Sequence, residues 1–281
     1  MSYTGKSPGS HVRIRCPMQI VYRISSPHHL GEAEEWGHDM IKDISELLDM
    51  LRSPFSEEPD KADLFPTNGP IIGKYRVATF DERGDLGRTF GKSNGENSSD
   101  VLLMVITETD NLEDLLKIAI KYPRNTKYAE EENDDELKAH TSLEYVWDGV
   151  LNDLAGLDLD VYMLSTRKKR FVVKKRPSKI YKQSMERLAQ AYLERTDADC
   201  VLVLIDDNSM LRGNAGVRIF EDSAKERDIV IKPIQIKSID CPAIWPQDFI
   251  TGAAGHYEET GSPAQIERIA GLIRFWERKN E

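Results

Sequence analysis

The run from Cys200 to Ile205, almost wholly apolar and closed by the acidic pair Asp206-Asp207, constrains the fold more than any other stretch of this chain. An apolar run of that length with no polar alternation reads as a strand buried on both faces, which needs helices above and below it. From Ile71 onward the rest of the chain supplies them, because short β-rich runs alternate with amphipathic helical patterns. Tyr75 to Phe80, Val101 to Thr107, Asp158 to Ser165 and Asp228 to Ile236 read as further strands, with a hairpin or loop joining the first two. Helices are expected over Asn111 to Lys121, Ser142 to Ala155 and Ser178 to Glu194, the second opened by Thr141 and Glu144 at capping-box spacing. Two more close the chain, one from Pro246 to Tyr257 and one opened by Ser262, Pro263 and Gln265 that ends in Phe275 and Trp276. The class is α/β, a sheet flanked by helices.

The first seventy residues read differently. Val12 to Ile24 is strand-like, and Trp36, Met40, Ile41, Ile44, Leu47, Leu48 and Leu51 form the apolar stripe of one helix. Pro54, Pro59, Pro66, Gly69 and Pro70 then give a linker composition, so the boundary falls between an N-terminal extension, 1–70, and a main domain, 71–281. A chain of 281 residues can bury one sizeable core plus such an appendage. It contains no uninterrupted apolar run of the roughly 20 residues a membrane helix needs, and its opening residues lack the pattern of a secretory signal. Cys16, Cys200 and Cys241 are an odd number without Cys-x-x-Cys spacing, which suits a reducing compartment and gives no zinc signature. The expectation is a cytoplasmic protein without membrane contact; oligomeric state is not indicated.

Carboxylates recur where the predicted strands end. Tyr75 to Phe80 runs into Asp81-Glu82, and Val201 to Ile205 into Asp206-Asp207. Open α/β sheets bind ligands at their carboxyl edge, and hard divalent cations need oxygen ligands held rigidly there. The plainer alternative is that Asp simply favours turns after strands. Likewise Glu136 closes an acidic run, 130–136, and Asp248 could be a first-turn carboxylate favourable to a helix dipole.

Net charge is −10, which would repel a polyanion unless basic residues are gathered in one place. Arg167, Lys168, Lys169, Arg170, Lys174, Lys175 and Arg176 are gathered, around Phe171, as a candidate nucleic-acid-binding segment with an aromatic ring to stack on a base. No Gly-x-x-x-x-Gly-Lys-Ser/Thr loop, Gly-x-Gly-x-x-Gly fingerprint or Gly-x-Ser-x-Gly elbow occurs, which disfavours nucleotide-binding and serine-hydrolase chemistry.

Four segments together resemble the domain of unknown function 3800 (DUF3800) family, a ribonuclease H-like group of probable nucleases. Asp81-Glu82-Arg83-Gly84 looks like that family's Asp-Glu-Ser-Gly after its first strand, and Glu136-Leu137-Lys138-Ala139 like its Glu-Ile-Lys-Ala. Leu204-Ile205-Asp206-Asp207 is similar to its apolar strand ending in Asp, and Asp248-Phe249-Ile250-Thr251-Gly252-Ala253 to its closing helix. Arg83 departs from the family's Ser, and Trp245 stands where the family tends to have Gln. The resemblance implies a ribonuclease H-like mixed sheet. It implies a nuclease in which Asp81, Glu136, Asp206 and Asp248 bind one or two Mg²⁺ or Mn²⁺ ions, with Glu82 or Asp207 as substitutes, and hydrolyse RNA or DNA. Lys138 is then a candidate phosphate contact, and His140 or His256 a candidate for proton transfer. A catalytically inactive nucleic-acid- or protein-binding module on the same fold is the alternative.

Overall fold

A computed structural model describes residues 74–84, 101–124, 126–127, 136–167, 177–206, 214–225, 227 and 229–280. The N-terminal extension, with its expected strand, helix and Cys16, lies outside the described residues. So do Asp207 and 168–176.

The described elements are β1 (Tyr75–Arg83), β2 (Val101–Thr109), α1 (Leu112–Lys121), α2 (Glu144–Ala155), β3 (Leu159–Arg167), α3 (Pro177–Leu193), β4 (Cys200–Asp206), α4 (Ala215–Ala224), β5 (Val230–Ile236), α5 (Trp245–Thr260) and β6 (Ile273–Asn280). The strands form one mixed sheet in the order β5-β4-β1-β2-β3-β6. Only β2 runs against its neighbours, pairing antiparallel with β1 and β3, while β1–β4, β4–β5 and β3–β6 are parallel. The carboxyl ends of β1, β3, β4, β5 and β6 therefore share one edge. This is the α/β architecture expected from the sequence, a mixed sheet flanked by helices.

Strand alternation divides the core in two. Val77, Leu103, Val105, Val161, Met163, Leu202 and Leu204 face α1, α2 and α5, packing on Leu115, Leu116, Val150, Leu154, Phe249 and Ile250. Ala78, Phe80, Met104, Ile106, Leu164, Val203 and Ile205 face α3 and α4, packing on Tyr181, Met185, Leu188 and Phe220. Both faces of β4 are thus covered, which is why its run carries no polar alternation.

Three expectations are corrected. The chain does not close on a helix: a 3-10 turn, Ile266–Leu272, leads into β6, which pairs with β3. The reason is a period of two, since Phe275 packs among the α3-side residues and Trp276 among the α5-side residues. Thr141 and Glu144 do not form a capping box; α2 starts at Glu144 with Leu143 at its N-cap, whose N–H donates to Thr126 Oγ1 at 2.7 Å, while Thr141 Oγ1 donates to the Lys138 carbonyl at 3.3 Å. Finally, β1 runs three residues beyond Phe80, so Asp81 lies within the strand, opposite Val105 of β2. Gly84 ends it at φ 116°, where a Cβ would stand 2.1 Å from the Val101 carbonyl oxygen.

Candidate functional site

The shared carboxyl edge brings the sequence-predicted carboxylates into one region. Phe80 of β1 pairs with Ile205 of parallel β4 at the end of their shared register, so Asp81 and Asp206 each follow one member of that pair. Alternation turns Asp81 to the α5 face and Glu82 to the opposite one, where Met104, the partner of Glu82, belongs to the α3-side core.

Helix α5 carries Asp248 in its first turn and is pinned to the sheet one residue earlier. The buried Gln247 Nε2 donates to the carbonyls of Thr79 on β1 and Val105 on β2, both at 2.9 Å. Close approach of the rest of the helix depends on Gly252, where a Cβ would stand 2.6 Å from the Trp147 ring. That ring is held in turn by its Nε1–H donating to the Ala139 carbonyl at 2.8 Å.

The loop 136–143 joins the remaining carboxylates. The Ala139 N–H donates to Asp248 Oδ2 at 2.7 Å. Ser238 is a hub between two others: its N–H donates to Asp206 Oδ1 at 3.1 Å and its hydroxyl to Glu136 Oε1 at 2.8 Å. Trp245 Nε1–H fixes that hub by donating to the Ser238 carbonyl at 2.7 Å. Lys138 Nζ lies 3.4 Å from Glu136 Oε2.

Burial and like charge dominate the electrostatics. Desolvation, then the neighbouring Asp248 and Glu82 carboxylates, hold Asp81 well above the usual carboxylate range. Asp248 is also raised by burial, against the favourable Ala139 N–H and the charges of His140, Arg83 and Lys138. Glu82 is pushed from 4.5 to about 7 by burial, with the Tyr181 hydroxyl favouring its charged form and Asp206 opposing it.

Two buried carboxylate oxygens, Asp81 Oδ2 and Glu82 Oε2, have no hydrogen-bond partner. An orphaned oxygen beside a second raised carboxylate suits a cation, which would offset both the desolvation and the repulsion. Among the described residues no three His, Cys, Asp or Glu side chains are gathered as a ready-made metal cage. Mg²⁺ does not require one, because it keeps several waters and takes one or two protein carboxylates.

Of the other sequence candidates, His140 is exposed and His256 half-buried on α5, while Arg167 ends β3 at the same edge of the sheet. Lys168, Lys169, Arg170, Phe171, Lys174, Lys175 and Arg176 lie outside the described residues, as does Asp207. Sequence reasoning passed over Gln247 and Ser238. A buried amide next to Asp248 was a faint signal for the first, and nothing in the sequence ties Ser238 to Glu136, 102 positions away.

No family profile matches the chain, and no curated protein matches it. Among solved structures, the chain is similar to one in the PCNA:RNase HII complex from Archaeoglobus fulgidus, at 11% identity and TM-score 0.39 over 69% of this chain and 76% of that one. It is also similar to the ribonuclease H2 from Pyrococcus horikoshii OT3, at 12% identity and TM-score 0.41 over 70% of this chain and 77% of that one. No helix among the described residues is long and apolar enough to cross a membrane.

Proposed function

We propose that this chain is a ribonuclease H-like, divalent-metal-dependent nuclease of the DUF3800 type, hydrolysing phosphodiester bonds of RNA or DNA. The observation that carries the reading is Asp81: a carboxylate within a strand at the carboxyl edge, one oxygen buried and unpartnered, with the Asp248 carboxylate as a repelling neighbour. Asp81, Asp206 and Asp248, with Glu136, would hold one or two Mg²⁺ or Mn²⁺ ions. A bound divalent cation would supply Lewis acidity toward a phosphoryl oxygen.

The chain's own residues supply position. Backbone pairing fixes Asp81, the Ser238 N–H orients Asp206, the Ser238 hydroxyl orients Glu136, and the Ala139 N–H orients Asp248. Lys138, with its ammonium beside Glu136, would contact a phosphate bound there, and the exposed His140 would be the candidate for proton transfer to the leaving oxygen.

The inactive binding module is the second reading, favoured by two observations. Asp206, Glu136 and Asp248 already accept hydrogen bonds from the chain, and the described residues hold no preformed three-ligand group.

The deciding experiment is cleavage of labelled single-stranded RNA, single-stranded DNA, duplex DNA and RNA–DNA hybrid with Mg²⁺ or Mn²⁺, comparing wild type with Asp81→Asn and Asp206→Asn. The nuclease reading expects metal-dependent cutting that each variant lowers at least about a hundredfold, the upper end of the loss when even outer partners of metal ligands are removed. No cutting of any substrate, or equal cutting by the variants, would move the conclusion to the binding module.

A further inference from the structure

A second charged site lies on the same edge of the sheet. Ser165 and Arg167 at the end of β3, Arg278 and Lys279 near the end of β6, and Glu258 near the end of α5 line a cavity of about 250 Å³. Ser165 and Arg278 are direct partners in the β3–β6 pairing, and two-residue alternation puts Arg167 on their face, toward α5.

Glu258 organises this site from beneath. Its side chain is only 2% exposed, yet Oε1 accepts Arg278 Nε at 2.7 Å and Ser165 Oγ at 3.1 Å. Its carbonyl accepts Arg167 Nη2 at 3.0 Å, and Oε2 lies 3.6 Å from the same nitrogen. The Arg278 guanidinium also sits over two aromatic rings, 4.8 Å from the Trp276 centroid and 5.3 Å from that of Tyr257. One buried carboxylate therefore faces two guanidiniums whose side chains are 59% and 55% exposed. The arrangement leaves excess positive charge and fixes Arg278 before any ligand arrives. A fork held in this way loses little entropy on binding a planar anion, and phosphate fits its geometry.

The position along α5 matters. Asp248 and Glu258 are ten residues apart on one helix, roughly 15 Å at 1.5 Å per residue. That is about four nucleotides at 3.4 Å each along a duplex strand. Arg83 lies along the same helix, its Nη1 donating to the Gly252 carbonyl at 3.4 Å and its Nη2 lying 3.3 Å from Glu259 Oε2. Arg167 is also where the basic run through Arg176 begins.

We propose that the Arg167–Arg278 pair, held by Glu258, is a phosphodiester clamp that seats the backbone of a nucleic-acid strand a few nucleotides from Asp81 and Asp248. The clamp rests on the nuclease reading for its substrate class, but it makes its contacts without hydrolysis.

The test measures binding of a fluorescein-labelled single-stranded oligonucleotide to the full chain by anisotropy, in EDTA, over a series of salt concentrations. Arg278→Ala is expected to weaken binding about tenfold and to flatten the slope of log affinity against log salt by about 0.7 for one phosphate contact on a single strand. Arg278→Lys keeps the charge but not the fork, so it should restore the slope while leaving affinity below wild type. Matching thermal melts check that the fold is intact, and Arg167→Ala provides a second variant should Arg278→Ala fail that check. Cleavage by wild type together with unchanged binding by both alanine variants would overturn the clamp and leave the nuclease standing. Salt-sensitive, Arg278-dependent binding by a chain that cuts nothing would support the clamp and overturn the hydrolytic reading. A wild type that binds no oligonucleotide overturns the clamp outright.

Discussion

Replacing Glu82 by Gln should stabilise the metal-free protein, and by an amount that depends on pH in a defined way. Burial raises the Glu82 carboxyl from 4.5 to about 7, a change of about 2.5 in pKa. At about 1.4 kcal/mol per unit, the charged form costs the fold at most about 3 kcal/mol once fully ionised. The sign follows from proton uptake: the folded chain binds the Glu82 proton more tightly than the unfolded chain. Stability from this group is therefore full below about pH 4.5, falls as pH rises toward 7, and is flat above. Gln keeps an acceptor for the Tyr181 hydroxyl and carries no charge. The variant should match wild type near pH 4.5 and exceed it by up to about 3 kcal/mol at pH 8. Urea unfolding in EDTA, followed by tryptophan fluorescence at both pH values, measures the difference directly. Taking wild type and variant as a pair cancels the contribution of Asp248, and relief of the Glu82 repulsion on Asp81 adds to the difference with the same sign. A stability difference equal at the two pH values, or a less stable variant at pH 8, would refute the assignment of Glu82 as a desolvated, charge-costly group.

Asp81→Asn should raise the melting temperature of the metal-free chain at pH 8 while removing the stabilisation that Mg²⁺ or Mn²⁺ gives wild type, as read by differential scanning fluorimetry with and without metal. Gln247→Ala deletes two buried hydrogen bonds to the sheet and should cost about 2 kcal/mol in urea unfolding, with a loss of cleavage beyond what the stability change explains. Phe249→Ala empties a fully buried site packed edge-on against Trp147 and should cost roughly 3–5 kcal/mol by the same assay. Ser238→Ala should leave the fold intact and lower cleavage about tenfold or more, because it removes the hydroxyl that orients Glu136 without replacing any proposed ligand.

How much was legible in the sequence depended on how local each signal was. The strand from Cys200 and the helix from Asn111 could be read because their apolar patterns are written within a few residues. Asn111 stands just outside α1 as its cap, its side chain accepting the Glu113 N–H at 3.2 Å. Asp206 could be read because it closes an uninterrupted apolar run. The end of β1 could not, since Asp81, Glu82 and Arg83 are strand residues only because β2 pairs with them. Strand β6 was misread as helix because Phe275 and Trp276 are adjacent; their burial on opposite faces becomes visible only once β3 supplies a partner. Helix α4 has too few apolar positions, chiefly Ile219 and Phe220, to stand out from its surroundings. The links from Ser238 to Glu136 and Asp206, and from Glu258 to Ser165 and Arg278, join residues 20 to 102 positions apart, beyond any local pattern.

The strand order has a consequence for how this sheet meets other chains. Its two outer strands are β5 and β6. Pro233 sits in the middle of β5, where its missing N–H breaks the row of donors that an incoming strand would need. Along β6, Arg274, Glu277, Arg278 and Lys279 would confront like charges in any second copy laid alongside in register. Both borders of the six described strands thus discourage the addition of a further strand from a second copy.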